Sequence, residues 1–221
     1  MTIRVLLVDD QELFREGVRV IVDAQEGMEV VGTAADGIEA VRQVDELEPD
    51  VVLMDVRMPE MDGVEATRQI FSPERLARRA AAGTVVRVVV LTTFDLDDRA
   101  ATAIRHGASG FLLKDTTPAQ LRDAVRTVHA GNAVLAPREL SALLEGRFAA
   151  PRPTPAAYLT LTDKEREVFA AVARGLSNTE VGALVFLSES TVKTHVGAIL
   201  RKLGLRDRVQ IVVFAHEHAL T

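Results

Sequence analysis

Five short runs rich in Val, Leu and Ile recur through the first 130 residues: IRVLLVD (3–9), MEVVGTA (28–34), DVVLMD (50–55), VRVVVLTT (86–93) and GFLLK (110–114). Between them lie amphipathic stretches at about 11–24, 37–47, 62–81, 97–106 and 118–130 that read as helices. A strand that is apolar almost without a break is buried on both faces, and a helix between each pair of strands makes the crossover of a parallel sheet. The alternation therefore predicts an open, doubly wound (βα)5 sheet, an α/β fold whose ligands sit outside the carboxyl ends of the strands.

Those carboxyl ends are chemically unusual. Asp9 and Asp10 close the first run, Asp55 the third, Thr92 and Thr93 the fourth, and Lys114 the fifth. Any one of them also suits a plain role as cap of the following helix. A carboxylate pair, a further carboxylate, a hydroxyl and an amine at one rim suit something more specific. Clustered carboxylates need a cation, and hard oxygen donors without His or Cys select Mg²⁺ over zinc. A carboxylate such as Asp55 is also a competent nucleophile toward phosphorus, with Lys114 placed to hold a phosphoryl oxygen.

The pattern changes after residue 130. Residues 136–148 read as a single helix, and AAPRPTPAA (149–157) carries three prolines that no helix continues through. Residues 131–157 are therefore expected to be a linker between a domain at 1–130 and a second at 158–221. The second shows no strand alternation. Thr162 with Glu165 and Ser177 with Glu180 have capping-box spacing, Ser188 with Thr191 marks a third helix start, and a fourth helix is expected over about 206–218. Gly175 and Gly204 stand where helices stop. Residues 177–204 give a short helix, a tight turn and a longer helix, with Val181, Leu184 and Val185 facing Val192, Val196, Ile199 and Leu200. That is the spacing of a helix-turn-helix, although an ordinary helical bundle without a nucleic-acid partner fits the same periodicity.

Charge separates the halves. Residues 1–130 hold 23 acidic against 15 basic side chains, and residues 159–221 hold seven against eight. With no Cys in the chain, disulfides and thiolate metal sites are excluded. The N-terminus lacks a signal-peptide layout and no stretch is long and apolar enough to span a bilayer, so a cytoplasmic protein without a membrane partner is expected.

VDD (8–10), LMDVRMPEMDG (53–63), LTTF (91–94) and GASGFLLKD (107–115), in that order, resemble the receiver domain of a two-component response regulator. LTDKEREVFAAVARGLSNTEV (161–181) and LSESTVKTHVGAILRKLGLRDRVQ (187–210) are similar to the LuxR-type helix-turn-helix, so the whole chain resembles the NarL/FixJ family. The resemblance implies that Asp55 accepts a phosphoryl group from a sensor histidine kinase. It implies that Asp9, Asp10, Asp55 and the Arg57 backbone carbonyl hold Mg²⁺, with Asp10 the direct ligand of the acidic pair. Thr92 and Phe111 would form the switch, Lys114 would contact the phosphoryl group, and Pro59 and Gly63 would shape the turn after the acceptor. By composition alone Phe111 reads as core.

The resemblance also implies double-stranded DNA as a partner, met by Ser190, Thr191, Lys193, Thr194, Gly197, Arg201 and Lys202, with Arg206 and Arg208 adding backbone contacts. Homodimerisation on phosphorylation would involve the last helix, with Val209, Val212, Val213 and Phe214. Phe94 would shield the acyl phosphate. Self-dephosphorylation, rather than substrate turnover, is expected. An aspartyl-nucleophile phosphatase would carry a second acid two residues after the nucleophile, where Arg57 stands. A regulator that binds DNA without phosphorylation is the other alternative.

Departures from the family pattern fall at Gly182, where Ala is usual, and at Gly197, where a larger polar residue is frequent. No Lys-Pro dipeptide follows the fifth strand, because Asp115 follows Lys114. The segment 71–86 is some nine residues longer than expected for its place. Its Arg75, Arg78 and Arg79 read as a solvated continuation of the third helix, or else as a partner contact.

Overall fold

Strand β3 (Val51–Asp55) is buried at all five positions, which is what an unbroken apolar run requires of its surroundings. It is the central strand of its sheet in a computed structural model that describes residues 2–93, 98–132 and 152–220. Phe94, the expected helix at 136–148 and the start of the proline-rich stretch lie outside the described residues. The chain divides into two units, Met1–Ala130 and Gly131–Thr221.

In the first unit β1 (Ile3–Val8), β2 (Met28–Ala34), β3, β4 (Arg87–Thr92) and β5 (Gly110–Leu113) form one sheet in the order β2-β1-β3-β4-β5. Every pairing is parallel. The crossovers carry α1 (Glu12–Asp23), α2 (Gly37–Leu47), α3 (Gly63–Ile70), α4 (Pro73–Ala82), α5 (Asp98–Arg105) and α6 (Pro118–His129). Asp36, Asp62 and Thr117 cap α2, α3 and α6 through side-chain bonds to the N3 amides, each satisfying a backbone donor that the helix itself leaves open. Strand order reverses between β1 and β3, and the crevice outside their carboxyl ends is where this topology takes ligands.

The long third helix expected over 62–81 is two helices. Ser72 and Pro73 break it, and Pro73 opens α4 at a position where its missing N–H costs nothing. The three arginines of α4 all converge on Asp45 of α2; Arg79 is covered, while Arg78 keeps the solvent exposure that the segment was expected to have. Arg75 Nε lies 2.9 Å from the Asp45 carboxylate, Arg79 Nη2 lies 3.4 Å away, and Arg78 is also paired with it. The Arg79 side chain is 6% exposed and also donates to the Ile70 carbonyl at 2.7 Å. A covered guanidinium stripped of its carboxylate is costly. Asp45→Ala is expected to lower the urea midpoint by the equivalent of about 2 kcal/mol, with chemistry at the sheet rim unchanged; an unaltered midpoint would show α4 docked by other contacts.

The second unit is helical: α7 (Ala156–Leu159), α8 (Asp163–Ala173), α9 (Asn178–Val185), α10 (Glu189–Leu203) and α11 (Arg208–Glu217). Both expected capping boxes are present, Thr162 with Glu165 and Ser177 with Glu180. Val168, Phe169, Val172, Val181, Val192 and Ile199 make the core, and the Phe169 ring meets Tyr158 and Phe214 edge-on at 5.1 and 6.1 Å. Leu184 departs from the expected packing, since it is 48% exposed while Val185 turns inward.

Gly182 is explained by the turn rather than by its helix. The Leu187 amide donates to the Gly182 carbonyl at 2.9 Å, and a Cβ on Gly182 would sit 2.6 Å from the Leu187 carbonyl oxygen. Around Gly197 a Cβ would meet nothing within 4 Å. Helix propensity favours Ala over Gly by about 1 kcal/mol at either site, so opposite signs are expected. Gly197→Ala gains most of that amount. Gly182→Ala loses about 1–3 kcal/mol through the backbone clash. Thermal unfolding of the two variants distinguishes steric demand from propensity, and equal shifts would discard the steric account.

Candidate functional site at the sheet rim and the recognition helix

Strand register alone assembles the rim. Val8 pairs with Met54, so the residues that follow them, Asp9 and Asp55, lie side by side. Asp55 pairs with Leu91, which brings Thr92 one step beyond it, and Thr92 pairs with Leu113, which puts Lys114 next in line. Four functional groups from four strands thus share one edge. Gly63 makes the turn after β3 possible: its amide donates to the Val56 carbonyl at 3.0 Å, and a Cβ there would lie 1.9 Å from the Asp55 carbonyl oxygen. No other residue fits that approach.

Lys114 is the hub. Its Nζ lies 2.6 Å from Asp9 Oδ2 and 2.9 Å from Asp55 Oδ2, with all three side chains at least nine-tenths covered. Asp10 is exposed beside them, and one ligand atom from each of Asp9, Asp10 and Asp55 falls within 4.8 Å of the others. Asp10, Asp55, Val56, Arg57, Thr92, Thr93 and Lys114 line a cleft of about 260 Å³. Burial raises the Asp55 pKa above the usual carboxylate range; the Lys114 hydrogen bond lowers it, the neighbouring Asp9 charge raises it, and an Arg57 backbone bond lowers it, leaving a net rise. Burial opposes the charge on Lys114, yet its bonds to Asp9 and Asp55 leave the amine above its ordinary value. Both partners of one ion pair move upward: burial outweighs the single ammonium at Asp55, while two carboxylate partners outweigh burial at Lys114.

The donor set fits a hard divalent cation. Three carboxylates gather beside one ammonium, and the side-chain ligand atoms they offer are all oxygen.

Three contacts escaped the sequence reading. The Phe14 ring stands 4.9 Å from Lys114 Nζ, close enough for a cation–π interaction. The Gln11 amide donates to Asp9 Oδ1 at 2.9 Å, and Arg15 donates to the Asp9 carbonyl. Phe14 and Arg15 stand on the first turn of α1, directly after the acidic pair, and that proximity was the available signal. Phe111 is 8% exposed, inside the sheet's packing.

In the second unit, Ser190, Lys193, Thr194, Gly197 and Arg201 are all exposed, and their spacing along α10 places them on one helix face. Lys193 makes a surface pair with Glu189. Thr191 is half-buried, with its hydroxyl 2.8 Å from that of Ser188. Two residues expected at the DNA are engaged inside their own domain. Lys202 is turned into the domain, its Nζ 2.6 Å from Glu165 Oε2 and 3.3 Å from the Thr160 carbonyl; the Lys202 hydrogen bond in turn holds the Glu165 carboxyl below its usual range. Arg208 is 6% exposed and bonds Asn178 Oδ1 at 2.7 Å and the Leu176 carbonyl. Burial pushes its pKa down to about 10. Val209, Val212 and Val213 of α11 are buried, whereas Ile211 and Ala215 are the residues of that helix that join the second unit's core.

A carboxylate-and-lysine rim on a parallel sheet, joined on one chain to a helix-turn-helix, describes the response regulators that read DNA. Residues 5–126 match the family described as "Response regulator receiver domain", and residues 159–215 the one described as "Bacterial regulatory proteins, luxR family". The chain is 43% identical over 215 residues to the transcriptional regulatory protein YxjL of Bacillus subtilis (strain 168), covering 96% of this chain and 94% of that protein. It is 39% identical over 219 residues to LiaR of the same organism, covering 99% of each. A crystal structure of a LuxR-family two-component response regulator from Aurantimonas sp. SI85-9A1 superposes with a TM-score of 0.55 at 35% identity, over 66% of this chain and 99% of that one. The chain belongs to the response regulators that carry a receiver domain and a LuxR-type DNA-binding domain, and it is a transcriptional regulator, not a metabolic enzyme.

Proposed function

We propose that Asp55 accepts a phosphoryl group from the phosphohistidine of a sensor kinase, and that the modified chain binds promoter DNA through the exposed face of α10. The observation that carries this reading is the position of Asp55 at the carboxyl end of β3, with Lys114 Nζ 2.9 Å away and Thr92 beside it in the cleft. The bond from phosphorus to an Asp55 oxygen forms as the P–N bond of the phosphohistidine breaks. Lys114 then follows the charge from the carboxylate to a phosphoryl oxygen, and the Thr92 hydroxyl donates to another. Asp9, Asp10, Asp55 and the Arg57 carbonyl would hold Mg²⁺, which when bound offsets charge on the phosphoryl oxygens. The inward movement of Thr92 and Phe111 is the switch, and it biases two pre-existing arrangements of the β4–β5 side rather than making a new one.

Ser190, Lys193, Thr194 and Arg201 meet the DNA, with Gly197 allowing close approach of the α10 backbone. A homodimer formed on phosphorylation would present two such helices to half-sites about one helical turn apart. Hydrolysis of the acyl phosphate within the same cleft returns the chain to rest. Among the described residues no helix is long and apolar enough to cross a membrane, in keeping with action in the cytoplasm.

The test combines Mg²⁺-dependent labelling by a small phosphodonor with duplex selection by labelled and unlabelled protein at one stated salt concentration, because affinity varies steeply with salt. Labelling that sharpens selection is expected. Selection that ignores labelling would favour a regulator independent of phosphorylation.

A further inference from the structure

The turn between α9 and α10 holds a phenylalanine where backbone geometry least favours one. Phe186 ends α9 with φ 58° and ψ 46°, in the left-handed region, where helices ordinarily place Gly or Asn and where a bulky side chain is strained. In this same domain α10 ends in that way, on Gly204. The Phe186 side chain is also 93% exposed, the highest value among the large apolar side chains of the described residues. Phe186 therefore adds strain to the turn and nothing to the core. Its neighbour Leu187 does the packing, partly buried against the core and pinned by its amide to the Gly182 carbonyl. The absent Cβ of Gly182 makes room for the Leu187 carbonyl, and the turn so formed turns Leu187 in and leaves Phe186 out.

Ser188 caps α10 two residues after Phe186, and exposed Ser190, Lys193 and Thr194 follow. The ring thus adjoins the end of the helix that the proposed function brings to DNA. The exposed residues that follow it are the hydroxyls Ser188 and Ser190 and the Glu189–Lys193 pair, and Leu184, near the end of α9, is the other exposed large apolar residue close to it in the chain. That is far less apolar area than a stable protein–protein contact needs, but it suits a single methyl group on a polyanion. The major groove offers one such group, the C5-methyl of thymine.

We propose that Phe186 is a DNA-contact residue whose exposed ring packs on a thymine methyl at the edge of the half-site entered by the N-terminal turn of α10. This rests on the reading of α10 as the DNA-facing helix. The chain accepts a strained, uncovered aromatic in exchange for apolar base recognition that Gly or Asn does not supply, as strained residues at functional sites do elsewhere.

The experiment uses the full phosphorylated chain, its Phe186→Asn variant, and the tightest duplex selected by the wild type. Asn tolerates the left-handed region, so the variant is expected to melt at or above the wild-type temperature while binding that duplex about tenfold more weakly. The salt dependence should be unchanged, because no phosphate contact is lost. Replacing each thymine in turn by deoxyuridine should reveal one position where loss of the methyl weakens wild-type binding about fourfold and leaves the variant indifferent. A variant that melts lower and binds as tightly assigns Phe186 to the fold. Equal sensitivity of both proteins to deoxyuridine removes the methyl contact, and unchanged affinity with reduced transcription points to a protein partner instead; each overturns the proposal. A wild-type chain that selects no duplex sinks the DNA reading as a whole, whereas selection without methyl dependence sinks this inference alone.

Discussion

An Asp55→Asn protein takes up no phosphoryl group from a small phosphodonor in the presence of Mg²⁺, and melts at or above the wild-type temperature. The amide has the size of the carboxylate but lacks its nucleophilic oxygen, so labelling falls to background. The stability expectation follows from the raised pKa of Asp55. A fold that raises a carboxyl pKa prefers the protonated form. Its contribution is fully present below the unfolded-state value and is lost as pH rises through the folded value. At neutral pH the ionised side chain is therefore a net burden, and a neutral isostere lifts it while Asp9 still holds Lys114. Labelling retained by Asp55→Asn moves the acceptor elsewhere, and a large drop in melting temperature would mean that the Asp55–Lys114 ion pair outweighs desolvation.

Lys114→Met has the opposite profile. It removes the one ammonium between two covered carboxylates. Taking one partner out of such a group leaves buried charge without compensation, typically about 3–5 kcal/mol. We expect the urea midpoint of the receiver unit to fall by the equivalent of about 3 kcal/mol at pH 8. Part of the loss should return with millimolar Mg²⁺, as binding to the native state alone stabilises it. Part should return as pH is lowered, because Asp55 without its lysine protonates still more readily. The Asp55→Asn, Lys114→Met double variant should be more stable than the sum of the single effects, since it removes a repelling charge together with the cation. Additive effects with no Mg²⁺ dependence would mean that the three side chains do not form one electrostatic unit.

The rim was readable from the sequence because strand ends in a parallel sheet share an edge by geometry. Once five apolar runs alternate with helices, Asp9, Asp55, Thr92 and Lys114 have nowhere else to go. The break between α3 and α4 was also written locally, in Ser72 followed by Pro73, but a continuous helical period masked it. The convergence of Arg75, Arg78 and Arg79 on Asp45 was not readable: it joins residues thirty or more positions apart through the packing angle of two helices, which periodicity does not specify. The same limit applies to Lys202 and Glu165 and to Arg208 and Asn178, where a basic residue that looks available for DNA is engaged inside its own domain. Leu184 was misplaced because a short helix offers too few turns to separate the inward face from its flank. Phe186 went unnoticed because left-handed caps are ordinarily recognised by a glycine that is missing here.

The close approach at residue 63 has a mechanical consequence. With the start of α3 pressed directly against the carbonyl of residue 55, the β3 terminus acts as an anvil with no slack behind it. Under the proposed acceptor role, a dianion added to Asp55 would find no retreat on that side and would push across the cleft toward the ends of β4 and β5, giving the signal a built-in direction.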